Sequence, residues 1–190
     1  MKPNDVRAFI AIELDADLRL KIKEIQKALK RSQADVTWVN PKNIHLTLKF
    51  LGHVSMESLQ SLCQAIEDTA KKFLSFEFQI SQCGWFPGQG QPQVLWIGIG
   101  PGNDAIKKLA AMLSSNIAKF CEKTDNKEFS AHITIGRVRS DKNINKLLAR
   151  LKRADFQYNK KLKVDHITLF QSRLTKSGPK YTAIKGFSLK

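Results

Sequence analysis

The chain has 190 residues, with 32 Lys or Arg against 17 Asp or Glu, a formal charge of +15. This length fits one domain, or one domain of two lobes, and it can bury about 70% of the unfolded surface without a disulfide or metal. Hydrophobic residues at 42% and charged residues at 26% exclude a disordered chain, and the cation excess favours RNA, DNA, nucleotides or an anionic membrane surface as partner.

Cys63, Cys83 and Cys121 are odd in number and form no CxxC pair, which argues against a disulfide framework or a thiolate zinc site and suits a reducing compartment. The apolar run after Arg7 is short and is followed by Glu13 and Asp15, a strand pattern rather than a leader. No stretch approaches the roughly 18 apolar residues of a membrane span. A cytoplasmic protein with no membrane partner is expected.

In chain order, Ala8 to Ile12 reads as a buried strand. Residues 16–31 carry Leu18, Ile22, Ile25 and Leu29 at helical spacing. Val36 to Val39 is a short strand closed by Asn40-Pro41, and His45 to Leu51 is another, ended by Gly52. Ser55 caps a helix over 56–73 with Leu59, Leu62, Cys63 and Ile66 as its buried stripe. Phe76 to Phe86 alternates as one strand, residues 87–92 form a hairpin loop, and Val94 to Ile99 is the partner. The pattern then starts again. A helix over 103–121 precedes a strand from Ala131 to Val138, a basic helix over 141–153, a strand from Leu162 to Phe170 and a last one over 181–189. The hairpin signals predict an α+β fold: one bilobal domain over 1–190, with two similar, mainly antiparallel sheets.

Three of the four histidines open the same tetrapeptide type: His45-Leu46-Thr47-Leu48, His132-Ile133-Thr134-Ile135 and His166-Ile167-Thr168-Leu169. In a strand, His and Thr then share one face while the two aliphatics anchor the other. Two such platforms facing each other suit phosphodiester chemistry. One imidazole can take a proton from water, the other can give one to the leaving oxygen, and the Thr hydroxyls can donate to the non-bridging oxygens. No metal is suggested, because the carboxylates are scattered and no His-x₃-His pair exists. His45 and His132 lie 87 residues apart, which fits one copy per lobe, whereas His132 and His166 are only 34 apart and would share a half. His166 is therefore taken as a structural copy.

These residues carry a resemblance. His45-Leu46-Thr47-Leu48-Lys49-Phe50-Leu51-Gly52 with Val54, and His132-Ile133-Thr134-Ile135-Gly136-Arg137, look like the paired HxTx motifs of the 2H phosphoesterase superfamily. The chain more closely resembles the RNA 2′,3′-cyclic phosphodiesterase branch, also called 2′-5′ RNA ligase. Arg7-Ala8-Phe9-Ile10-Ala11-Ile12, Val94-Leu95-Trp96-Ile97-Gly98 and Leu169-Phe170-Gln171-Ser172 with Tyr181 extend the likeness over the whole chain. Ala131 departs from it, since the family often has Pro before the second His. The resemblance implies a positively charged cleft between two antiparallel sheets, helices outside, and hydrolysis of a terminal ribose 2′,3′-cyclic phosphate to a 2′-phosphate with no cofactor. It implies His45 as proton donor to the 3′ oxygen, His132 as the base for water, and Thr47 and Thr134 as phosphate holders. It also offers Arg137 as a phosphate contact. Strict alternation puts Arg137 on the face opposite His132, although Gly136 could relax the strand and re-aim it. The expected partners are RNA ends or nucleoside 2′,3′-cyclic phosphates, met by a monomer. Reverse 2′-5′ ligation and a non-catalytic RNA-binding module are the competing functions, and the intact pair of motifs argues against the second.

Residues 98–102 have the outline of a dinucleotide loop but lack its last Gly and read as strand exit and helix entry. His53 is placed in a loop. Ten cations between Arg137 and Lys163 face only Asp141 and Asp155, so this stretch holds +8 of the net charge. Lys142, Lys146, Arg150 and Arg153 line one helical face there, a candidate RNA backbone contact. Among Phe50, Trp38, Trp85, Phe86 and Trp96, one could stack on a base.

Overall fold

The computed structural model describes residues 5–121, 128–153, 158–176 and 178–190. In chain order these form β1 (Asp5–Glu13), α1 (Ala16–Lys30), β2 (Val36–Trp38), β3 (His45–Ser55), α2 (Met56–Ala70), β4 (Phe76–Phe78), β5 (Ile80–Phe86), β6 (Val94–Ile99), α3 (Asn103–Asn116), β7 (His132–Val138), α4 (Ile144–Arg153), β8 (Leu162–Val164), β9 (His166–Thr175) and β10 (Gly178–Ser188).

One curled antiparallel sheet runs β10-β9-β1-β3-β7-β6-β5, with β2 added on β7. Between its two halves, β3 and β7 pair at one position, Leu46 opposite Ile133. That junction divides the sheet into a first lobe (β10, β9, β1, β3) and a second (β2, β7, β6, β5). β1 lies between β3 and β9 and is buried on both faces from Ala8 to Ile12. This explains why its apolar residues run on without alternating.

The lobes are interleaved in sequence, which corrects one expectation. His166 follows His132 by 34 residues yet belongs to β9, in the same lobe as His45. The chain returns to the first lobe after completing the second, so sequence distance does not report lobe membership.

Asp15 caps α1 by accepting from the Leu18 N–H, and Ser55 does the same for α2 through Ser58. The buried faces of the helices close the back of the sheet. α2 and α3 pack together behind the first lobe, touching β3 and β10, and α1 and α4 pack together behind the second. Gln26 of α1 reaches through to the sheet, where its side-chain amide donates to the carbonyls of Val39 and Ile135, 2.8 Å each. A hydrocarbon there takes the side-chain donor from both carbonyls; that of Ile135 keeps the Val39 N–H at 3.1 Å, and the half-buried one of Val39 loses its donor. Gln26→Leu should therefore cost about 1–3 kcal/mol of stability in urea denaturation.

Several element boundaries differ from expectation. The run over 76–86 is two strands, because Gln79 spends its backbone on Pro101 and Gly100 and β4 turns away to pair with β8. The run over 162–170 divides at Asp165 for the same reason. The first helix of the second half ends at Asn116 and tightens into a 3₁₀ turn over Ala118–Phe120. α2 stops at Ala70 and α4 starts only at Ile144. β3 continues through Gly52 to Ser55, so His53 sits in a strand opposite Arg7. The basic face of α4 lies on the outside of the second lobe, and Asp155 lies outside the described residues. Among the described residues no helix is long and apolar enough to cross a membrane.

Candidate active site

Leu46 and Ile133, both fully buried, place their neighbours on the opposite face of the lobe junction. Counting outward from that antiparallel pair, His45 comes to lie across from Thr134, and Thr47 across from His132. The two HxT motifs therefore face the same side and meet diagonally where the lobes join. This is the arrangement that the alternation argument requires.

Each imidazole is anchored in the same way. Nδ1 of His45 donates to the carbonyl of Asn43, and Nδ1 of His132 donates to the carbonyl of Ser130, both at 2.8 Å and both two residues back along the chain. A carbonyl can only accept, so Nδ1 keeps its proton in either charge state and Nε2 is the atom that gains or loses one. Neither Thr47 nor Thr134 spends its hydroxyl on a protein partner among the described residues. The hydroxyl of Thr168, in contrast, donates to Glu13 at 2.8 Å, and His166 pairs with the Asp165 carboxylate instead of a carbonyl. The third motif thus has its hydroxyl occupied and its histidine differently held, two strands away from the junction.

The surroundings of the two rings differ. His45 lies against Phe9, with centroids 4.7 Å apart and planes 28° apart, and Tyr181 meets it edge-on at 5.3 Å. Phe170 stacks on the far side of this cluster, 5.3 Å from Phe9. Burial holds the His45 pKa below the ordinary imidazole value; the Asn43 carbonyl opposes this, and the nearby Arg19 cation adds to it. His132 meets the edge of Phe86 at 5.1 Å, and Phe86 in turn packs on Trp96.

Trp96 pairs with Gly84 on one side and with Thr134 on the other, so its indole shares the face of the second motif. Gly84 is required there, because a Cβ would stand 2.3 Å from the indole ring. Gly84→Ala must lift Trp96 and, through Phe86, shift His132. We expect a loss of about 1–3 kcal/mol in stability, as for other overpacked sites. A shifted tryptophan emission and lower turnover should accompany it.

Arg137 is where strict alternation fails. A register shift between Leu95 and Trp96 leaves Ile135 unpaired against β6, and Ile135 and Gly136 are both buried. Gly136 packs so tightly that a Cβ would come within 2.8 Å of Val36. The bulge reverses the phase, so exposed Arg137 emerges on the side of Thr134. There its charge reaches the Tyr181 hydroxyl of the other lobe. Sequence reasoning missed the ring cluster around His45. Its members come from β1, β9 and β10, and only their recurrence among the family-like segments marked them.

Among the described residues no three His, Cys, Asp or Glu side chains gather as a metal site. Cys83 has its thiol pKa pushed far up by burial, and Cys63 and Cys121 shift the same way, which leaves inert thiols.

The chain is 32% identical to a Methanothermobacter thermautotrophicus protein named RNA 2′,3′-cyclic phosphodiesterase, over 97% of this chain and 99% of the relative. It is 31% identical to an Aquifex aeolicus protein of the same name, over 97% of each. The crystal structure of apo LigT from E. coli superposes with a TM-score of 0.78 at 26% identity, covering 98% of this chain and 99% of that one. The sequence pattern of the 2′-5′ RNA ligase superfamily spans residues 14–175. With both HxT motifs at one lobe junction, this chain belongs to that superfamily of 2H phosphoesterases.

Proposed function

We propose that the protein hydrolyses terminal ribose 2′,3′-cyclic phosphates of RNA to 2′-phosphates, with two histidines as acid and base and no metal. One observation carries the reading: two Nδ1-anchored imidazoles and two unengaged Thr hydroxyls face the same side of the β3–β7 junction. The relatives' names support the substrate class, and LigT of E. coli has been crystallised with phosphate and with 3′-AMP.

In the proposed reaction Nε2 of neutral His132 takes a proton from water as its oxygen bonds to phosphorus. The P–O3′ bond breaks, and protonated His45 gives its Nε2 proton to the departing 3′ oxygen. The phosphate stays on the 2′ oxygen. Thr47, Thr134 and Arg137 donate to the non-bridging oxygens as their charge grows. Solvent then returns both rings to their starting states. In this reading the protein works as a monomer in the cytoplasm.

Ligation would follow the same path with an RNA 5′-hydroxyl in place of water. The 5′ oxygen bonds to phosphorus and gives its proton to His132, P–O3′ breaks, the 3′ oxygen takes a proton from His45, and a 2′-5′ phosphodiester is left. The superfamily's description favours keeping it as a second activity. Incubation with a nucleoside 2′,3′-cyclic phosphate in excess EDTA tests the main reading. Phosphorus NMR should show the 2′-monophosphate accumulating. Activity that vanishes with EDTA and returns with a divalent cation would overturn it.

A further inference from the structure

The register of the first lobe aligns a row of polar residues just beyond the aromatic cluster. Ala8 pairs with Gln171 on β9, which brings Arg7 opposite Ser172, and Ser172 pairs with Tyr181 on β10. Arg7, Ser172 and Tyr181 thus form one line across three strands. The next line on the same face is Phe9, Phe170 and Ala183, about 7 Å away along the strands. The Tyr181 ring packs against both Phe9 and His45, so the row borders the reacting centre without being part of it.

Two features of this row are unexplained by the chemistry at phosphorus. Arg7 is exposed, and its guanidinium has no hydrogen bond or carboxylate partner among the described residues. The charges of Arg7 and of Arg137 in the other lobe both reach the Tyr181 hydroxyl. Two uncompensated guanidiniums near one phenol, with a serine between Arg7 and that phenol, form a surface suited to an anion. Arg137 comes from the lobe junction and accounts for the reacting phosphate. Arg7 stands two residues beyond Phe9 along β1, opposite His53 of β3 and away from the His45 end of that strand.

We propose that Arg7, Ser172 and Tyr181 form a second anion subsite. It holds the phosphodiester on the 5′ side of the reacting nucleotide and makes the protein prefer an RNA end to a mononucleotide cyclic phosphate. The subsite presupposes the function proposed above and deepens it, because it names the strand, not the single nucleotide, as the substrate.

The test compares adenosine 2′,3′-cyclic phosphate with the dinucleotide that carries the same cyclic end. The wild-type protein should favour the dinucleotide in kcat/KM by about tenfold or more, the usual worth of a charge-assisted contact to phosphate. In Arg7→Gln that ratio should fall towards one, through KM and not kcat. Arg7→Lys should recover part of it, and Tyr181→Phe should lower it by a smaller factor. Equal losses on both substrates would assign Arg7 to the reacting phosphate and overturn the subsite, as would an unchanged ratio. Calorimetric binding of the corresponding mono- and dinucleotide 2′-phosphates separates this result from the activity. If neither cyclic phosphate is hydrolysed, the proposed function fails, yet tighter dinucleotide binding that depends on Arg7 still supports the subsite. Equal binding of the two overturns it.

Discussion

His45→Ala and His132→Ala should each lower turnover of a nucleoside 2′,3′-cyclic phosphate by about 10²–10⁴-fold, the usual worth of a general acid or base. The double variant should be little worse than either single one, because two groups acting in one proton relay do not add. His45 is also a packing residue, stacked on Phe9 and edged by Tyr181, so alanine removes contacts as well as a proton. His45→Phe separates the two effects. It keeps a ring against Phe9 and cannot transfer a proton, so stability should stay near wild type while activity is lost. His166→Ala should stay within about twofold, since that ring is exposed and held by Asp165. A folded His166→Ala protein as inactive as the other two would show that the wrong pair has been assigned.

Much of this site was legible because it depends on one strand rule. Alternation alone predicts that His and Thr of each motif share a face and that Leu46 and Ile133 are core, and both are fully buried. Alternation also marks its own failure at Arg137. Gly136 signalled a possible bulge, but only pairing with β6 decides that Ile135 is the extra residue and that the phase reverses. The split between β4 and β5 was invisible for a similar reason. Phe76-Glu77-Phe78-Gln79-Ile80 alternates without a break, and the chain parts at Gln79 because Gly100 and Pro101, over twenty residues later, take its backbone groups. The interleaved lobes are the largest case. Two halves of one chain suggest two lobes in sequence order, whereas β9 and β10 return to the first lobe and bring Phe170 and Tyr181 to His45. No local signal encodes a return of that length.

The cluster assembled by that return also sets the pH behaviour. Burial disfavours the charged form of His45, so its pKa in the free protein lies below the ordinary value of about 6.5; the Asn43 carbonyl opposes the shift, and Arg19 adds to it. The unfolded chain therefore binds a proton at this ring before the folded one does. This contribution to stability is complete above the ordinary imidazole pKa and is lost as pH falls through the lower folded value. His45→Phe should flatten that stretch of the stability profile in urea denaturation. The proposed mechanism needs one ring charged and one neutral, so kcat/KM should follow a bell whose acid limb lies below the ordinary imidazole range. Bound substrate changes the balance. Its phosphate places a negative charge beside His45, which favours the imidazolium and raises the pKa. The acid limb of kcat, which reports the complex, should therefore lie at higher pH than that of kcat/KM, which reports the free protein. Beyond either limb activity should fall about tenfold per pH unit, with the limbs belonging to the coupled pair and not to single residues. Titration of the His45 ring by NMR supplies the residue assignment. A free-protein value at or above 6.5, or acid limbs that coincide for kcat and kcat/KM, would show that the aromatic enclosure of His45 does not tune its proton.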